Sequence, residues 1–236
     1  MKKNMEIKKE KPVVCILGGM GPQASSRLLS MIIDKLSVSG NLNSGDFPEI
    51  VVDSVPVPDF ISDLKNRDIA LQMLKKRVRL LNSFQPDCFA IACNTAHILL
   101  DELQACTKSR FVSIVDEVVK QVARKDIKSV GLLASPTTIN TGLFQKALGQ
   151  VKVKVIRPDD FELRAIDFVI RRVIGGRVSQ KDARFLVSVA RGLKKSGAQG
   201  IILGCTELPL IFPDKLDLPV FNTLEILADA LVLLLI

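Results

Sequence analysis

A repeated transition constrains this chain most. A short apolar run ends in a cysteine with small polar neighbours, and an amphipathic segment follows. Residues 88–92 lead into Cys93-Asn94-Thr95-Ala96-His97, and residues 200–203 lead into Gly204-Cys205-Thr206-Glu207-Leu208. Runs this short and this apolar read as strands buried on both faces of a parallel sheet. The carboxyl ends of such strands are where open α/β sheets build ligand sites. A thiol delivered twice to that position, in similar chemical dress, predicts one site with two matched acid–base groups, Cys93 and Cys205.

The rest of the chain repeats the alternation. Strands are expected at residues 13–17, 50–54, 88–92 and 111–115, with helices at 25–36, 69–84, 96–105 and from 116 to about 124. The order then recurs: strands at 130–133, 151–156 and 200–203, with helices around Leu143 and at 161–174 and 181–195. Strands alternating with helices imply parallel sheets joined by right-handed crossovers. The fold class expected is therefore α/β, with two similar Rossmann-like halves, mainly parallel sheets, a pseudo-two-fold relation and an active site in the cleft between them. Residues 1–11 are expected to be a basic disordered tail. Residues 12–115 plus 219–236 are expected to form the N-terminal domain, and residues 116–218 the C-terminal domain. The apolar final helix is expected to cross back onto the first half.

Bulk properties narrow the function classes. The formal charge of +8 sits mostly in the N-terminal tail and in pairs such as Lys75-Lys76 and Lys194-Lys195, which read as solvated helix faces. Tyr and Trp are absent, so a base-stacking platform is hard to build and no nucleic-acid partner is expected. Five cysteines and a single histidine, with no close cysteine pair, match neither a disulfide framework nor a zinc site. No metal is expected, and a reducing, cytoplasmic setting is. Residues 13–17 are too short for a secretory core. The run at 224–236 carries Glu225 and Asp229 and is too short to span a bilayer, so no membrane partner is expected.

Around the cysteines the residue types suit a small anionic ligand. Both thiols are expected at helix starts, where the backbone dipole lowers a thiol pKa. Asn94, Thr95 and Thr206 offer short polar donors for a carboxylate, and equally for helix capping. The Gly18-Gly19-Met20-Gly21-Pro22 turn lacks dinucleotide-fingerprint spacing, but it lets backbone amides at Gly19 and Met20 approach a ligand closely. Ser135, Thr137 and Thr138 occupy the matching turn of the second half. Cys15 and Cys88 fall inside strand patterns and read as core. His97 reads as a local hydrogen-bonding or packing residue, and Glu207 as a charge suited to a helix N-terminus.

At these residues the chain resembles the aspartate/glutamate racemase family, and within it the aspartate racemase branch. The resemblance runs from Val13 onward. It rests on the glycine turn at 18–22, Cys93-Asn94-Thr95-Ala96-His97, Gly131-Leu132-Leu133-Ala134 and Gly204-Cys205-Thr206-Glu207-Leu208. It implies a cofactor-independent two-base mechanism with a small amino-acid substrate, aspartate or glutamate first, and a homodimer. One of Cys93 and Cys205 removes the α-proton and the other returns one to the opposite face. Asn94, Thr95, Ala96 and Thr206 hold the α-carboxylate and amino group. Two positions depart from the aspartate branch. Phe60 follows Pro58-Asp59 where an Arg is usual, and Gly175 stands near the place of a usual Lys, which leaves Arg67 and Arg177 as candidate replacements. The alternatives within reach of these residues are a maleate isomerase-like or decarboxylase-like enzyme of the same superfamily, or a non-catalytic amino-acid-binding homologue.

Overall fold

β1 (Val13–Gly18) is a β-branched and apolar run that pairs in parallel with β2 (Glu49–Ser54) on one side and β3 (Cys88–Ile91) on the other. β4 (Arg110–Val112) extends the sheet beyond β3, giving the order β2-β1-β3-β4. A second parallel sheet is built from β5 (Ser129–Ala134), β6 (Lys154–Ile156), β7 (Ile201–Gly204) and β8 (Val220–Asn222), in the order β6-β5-β7-β8. Read from its own first strand, each sheet has the same order, so the chain holds two Rossmann-like halves. The computed structural model describes residues 11–40, 43–213 and 216–236. Apart from Lys11, the expected basic tail lies outside the described residues.

Nine α-helices join the strands among the described residues: α1 (Pro22–Val38), α2 (Arg67–Leu81), α3 (Leu100–Gln104), α4 (Ile114–Arg124), α5 (Pro136–Asn140), α6 (Leu143–Gln150), α7 (Asp160–Ile174), α8 (Gln180–Lys195) and α9 (Thr223–Leu235). Local sequence sets several of their starts. Pro22 sits in the first turn of α1, where its missing N–H costs nothing. Ser113 accepts from the Asp116 N–H at 3.2 Å to cap α4. Asp159 and Glu162 close a reciprocal box at the start of α7.

Strand alternation divides the core. Val14 and Ile16 of β1 face one way, toward α1, α4, α6 and α9, and that cluster continues without a break onto Val130, Leu132 and Ile202 of the second sheet. Cys15 and Leu17 face the other way, onto α2 and α3. The outer face of the second sheet is covered by α7 and α8. The two halves thus share one apolar layer, and each fully buried Leu or Ile in it contributes about 1.5–3 kcal/mol. α9 packs against both α1 and α4, and Lys35 pairs with Asp229 at 2.7 Å across the first contact.

Residues 219–236 do not stay together as the sequence grouping expects. Residues 220–222 form β8 on the edge of the second sheet, while α9 lies against α1. A three-residue strand leaves too little period-two pattern to be read in advance.

The chain leaves β1 toward β2 on one side and returns to β3 on the other, and β5, β6 and β7 repeat this. The carboxyl ends of β1 and β3, and of β5 and β7, are therefore topological switch points, where adjacent loops part and leave a crevice. The glycine turn and Cys93 stand at the first, Ser135 and Cys205 at the second. The first turn depends on Gly19, whose φ is +89°. A Cβ there would lie 2.5 Å from the backbone N and O of Val55. Gly19→Ala is expected to lower stability by about 1–3 kcal/mol, read as a reduced Tm; an unchanged Tm would show that the turn relaxes freely.

Candidate active site

The glycine turn is fixed at both ends. The Gly19 N–H donates to Ser25 Oγ at 2.9 Å, and the Gly21 N–H donates across to Glu207 Oε1 of the second half at 2.9 Å. The other oxygen of that carboxyl, Oε2, accepts from the Cys205 thiol at 2.9 Å. The Thr206 hydroxyl lies 3.2 Å from the same oxygen and 3.3 Å from the Ala92 carbonyl, with one proton to offer the two. Glu207 is 2% exposed. Burial pushes its pKa up, against the hydrogen bonds from Cys205, Gly21 and Thr206.

The two thiols meet different surroundings. Cys93 receives hydrogen bonds from the Ala96 and Thr95 backbone and from the Thr95 side chain, yet burial and then the charge of Glu207 push its pKa up to about 12. Cys205 is raised well above the usual thiol value by burial, by the charge of Glu207 and by the hydrogen bond it donates to that carboxylate. Ionised Cys93 raises it further, so the two sulfurs and one carboxyl share a single electrostatic neighbourhood.

This corrects the expectation of lowered thiol pKa values at helix starts. Cys93 is followed by a 3-10 turn, Thr95–Leu99, and only then by the five-residue α3; Cys205 is followed by the 3-10 turn Leu208–Leu210 alone. Pro209, with no N–H, stands in that second turn. Turns this short do not sum to a macrodipole able to outweigh burial.

The polar residues expected around the thiols are brought together. Thr95 Oγ1 lies 2.9 Å from Ser135 Oγ and 3.0 Å from Thr138 Oγ1, a buried triangle of hydroxyls that joins the halves. Asn94 Nδ2 donates to Thr223 Oγ1 at 2.9 Å, and Thr223 donates onward to the Leu203 carbonyl at 2.8 Å. Because the Thr223 proton is spent on Leu203, its oxygen must accept, which fixes the Asn94 amide orientation. Asn94 Oδ1 is then buried with no hydrogen-bond partner. Ala96 is fully buried, and its amide faces Cys93.

Gly19, Met20 and Gly21 line a cleft of about 310 Å³, together with residues 57–61 and with Arg171, Ile174 and Gly175. Cys93 and Cys205, 3% and 5% exposed, are not on its wall. Cys205 lies behind it, joined to the wall at Gly21 by two hydrogen bonds through Glu207, and Cys93 is joined to neither residue but feels the charge of Glu207. Arg67 and Arg177 do not line it either. Arg67 pairs with Asp68 at 2.8 Å and with Glu102 at the start of α2.

The cation on the cleft wall is Arg171, four residues before Gly175 and so one helical turn away on the same face. That spacing was the available signal for it. Glu207 had a signal too, standing two residues beyond Cys205. Thr137 was marked only by its place in the turn of the second half; it donates to the Phe60 carbonyl at 2.8 Å and holds the 57–61 loop to that half. Among the described residues no cluster of three or more His, Cys, Asp or Glu could hold a metal ion, and no helix is long and apolar enough to cross a membrane.

His97 braces the Cys93 turn. Its Nε2 accepts from the Ile114 N–H at 3.0 Å, so Nδ1 carries the proton and donates to the Cys93 carbonyl at 2.8 Å. Burial lowers its pKa from 6.5 to about 4. The neutral form is the native one, so its contribution is complete above pH 6.5 and is lost as pH falls toward 4. The loss amounts to about 3 kcal/mol over that window. Urea unfolding is expected to show stability declining below pH 6.5, with a shallower slope in His97→Gln. An identical slope in the variant would remove His97 as the cause.

Residues 17–231 match the family model described as Asp/Glu/Hydantoin racemase. The chain is 25% identical to the broad specificity amino-acid racemase RacX of Bacillus subtilis over 222 residues, which is 93% of this chain and 96% of that one. Among solved structures it is similar to the Picrophilus torridus aspartate racemase, with a TM-score of 0.79, 27% identity, and 94% and 93% of the two chains covered. It is also similar to an aspartate racemase homologue from Pyrococcus horikoshii, with a TM-score of 0.78, 25% identity, and 96% and 99% covered. The chain belongs to the Asp/Glu/Hydantoin racemase family and is an isomerase of the amino-acid racemase class.

Proposed function

We propose that the protein interconverts the enantiomers of an amino acid using Cys93 and Cys205 as opposed acid and base, without a cofactor. The observation that carries this reading is a pair of buried thiols at the equivalent switch points of the two halves, one bonded to the Glu207 carboxylate and both under its charge. In one direction the Cys93 thiolate takes the α-hydrogen as a proton, leaving its electron pair on the α-carbon and the adjoining carboxylate. The Cys205 thiol then gives its proton to the opposite face. The reverse direction exchanges the two roles, and no oxidant or reductant is consumed.

Neighbouring groups support the binding of what every amino acid shares. The buried, unpartnered Asn94 Oδ1 is an acceptor for the α-ammonium group. The amides of the Cys93 turn are donors for the α-carboxylate, and a hydroxyl of the Thr95, Ser135 and Thr138 triangle joins them by turning its proton out of that triangle. Single substitutions Cys93→Ser and Cys205→Ser are each expected to reduce racemisation by at least about 100-fold, the lower end for loss of a positioned acid–base group. The unsubstituted protein is expected to exchange the substrate α-hydrogen with solvent deuterium without added pyridoxal phosphate. Full activity in either serine variant would end the two-thiol assignment.

Glu207 is assigned as the positioning residue for Cys205. Glu207→Gln keeps an acceptor for the Gly21 N–H but removes the negative charge. The Cys205 pKa is then expected to fall, seen as a thiolate absorbance titration displaced to lower pH and a matching displacement of the pH–rate profile. Coincident titrations in the two proteins would count against it.

A further inference from the structure

Resting on the racemase reading above, we propose that the cleft beside the thiols selects amino acids with long, non-anionic side chains, apolar along the stem and neutral or cationic at the end, and excludes aspartate and glutamate. The argument starts from what the cleft has left to offer a ligand. Its walls near the glycine turn are apolar, formed by Met20, Val57, Phe60, Ile61 and Ile174. Phe60 is held there through its own carbonyl, which accepts from the Thr137 hydroxyl at 2.8 Å.

Arg171, the one cation among the described lining residues, is held between two carboxylates. It donates to Asp59 Oδ2 at 2.6 Å and to Asp167 Oδ2 at 3.3 Å, and it also contacts the Ser62 hydroxyl. Ser62 in turn lies 2.9 and 2.8 Å from the two oxygens of Asp167, which fixes that carboxylate beside the guanidinium. Two carboxylates therefore face a single cation. An acidic side chain entering this end of the cleft meets a single cation already paired and two like charges.

Gln23, behind the glycine turn and not on the cleft wall, brings no donor to it. Its Nε2 donates to the Ile174 carbonyl at 2.7 Å, so the amide cannot be turned without setting oxygen against oxygen. Gln23 Oε1 is consequently buried with no partner. An apolar wall that ends in one cation held between two carboxylates describes a site for lysine, arginine or methionine rather than for aspartate.

A chiral assay over L-lysine, L-arginine, L-methionine, L-aspartate and L-glutamate tests this. Expected is a kcat/KM at least about tenfold higher for the first three than for the acidic pair, the scale of one missing charge-assisted hydrogen bond. Equal or faster turnover of L-aspartate or L-glutamate overturns the proposal. Asp59→Asn keeps Oδ1 for the Ile61 N–H, which it accepts at 3.1 Å, but releases Arg171 from its nearer carboxylate. In that variant the ratio of L-glutamate to L-lysine turnover is expected to rise about fivefold or more, again because one charge-assisted contact changes hands; an unmoved ratio counts against the assignment. Titration calorimetry of L-lysine and L-aspartate into the intact protein reads the preference without turnover. If no amino acid is racemised, the two-thiol reading fails, while tighter binding of L-lysine still supports the cleft assignment and tighter binding of L-aspartate refutes it.

Discussion

One buried carboxyl holds the site together. Glu207 takes the Gly21 N–H of the first half on one oxygen and the Cys205 thiol of the second half on the other. A carboxyl removed from water is costly unless its lone pairs are occupied, and here three hydrogen-bonding groups occupy them. The same contact seats the glycine turn that floors the cleft, and its charge acts on both thiols at once. Loop position, interdomain closure and thiol ionisation are therefore not independent properties. A change at Glu207 alters all three, which is why a variant that preserves the acceptor but removes the charge is the informative one.

The scaffold is duplicated, but the chemistry placed on it is not. Both sheets run in the same order, and each delivers a cysteine to its switch point. At the first, the sulfur faces N–H and O–H donors from Thr95 and Ala96, which favour a thiolate. At the second, it faces a carboxylate acceptor, which favours a thiol. In the proposed reading, Cys205 is thus the thiol that keeps its proton, and Cys93 the one that ionises when a ligand is bound. An approximate two-fold relation supplies two opposed groups, and a single acidic residue present on one side distinguishes them.

Much of this was legible before the fold was known, and the exceptions have physical reasons. Strands 1, 3, 5 and 7 announce themselves as short apolar runs, and the long helices α7 and α8 show their amphipathic period and capping residues. The two cysteine motifs could be placed at strand ends because Gly, Thr and Pro punctuate the sequence there. The 3-10 turns after the cysteines were not legible, since a helical apolar pattern is shared by both geometries until Pro209 and tertiary packing decide. β8 was too short to show a period. Arg171 was signalled only by its spacing to Gly175, because its pairing depends on Asp59, far away in sequence and on the other half. Thr137 was visible only as a turn residue, and its grip on the Phe60 carbonyl required the halves to be docked.

Burial raises both thiol pKa values, which at first sight opposes catalysis by a thiolate. With the Cys93 pKa near 12, ionisation at pH 7 costs about 7 kcal/mol. A base raised in this way is also a stronger base, and the α-hydrogen of an amino acid is a weak acid, so the two must be brought closer in strength for proton transfer to proceed. The cost can be met by the substrate itself. On the proposed reading, its ammonium group meets the unpartnered Asn94 oxygen, and a cation near the thiols lowers both pKa values through a medium from which water is largely excluded. On the same reading, thiolate formation is then coupled to occupancy: without a ligand the sulfurs stay protonated, and with one the nearer sulfur ionises next to the hydrogen it removes. This coupling does not depend on the side chain, which the proposed selectivity places toward the apolar cleft and the Arg171–Asp59 pair. Reactivity and selectivity are therefore carried by opposite ends of the same ligand.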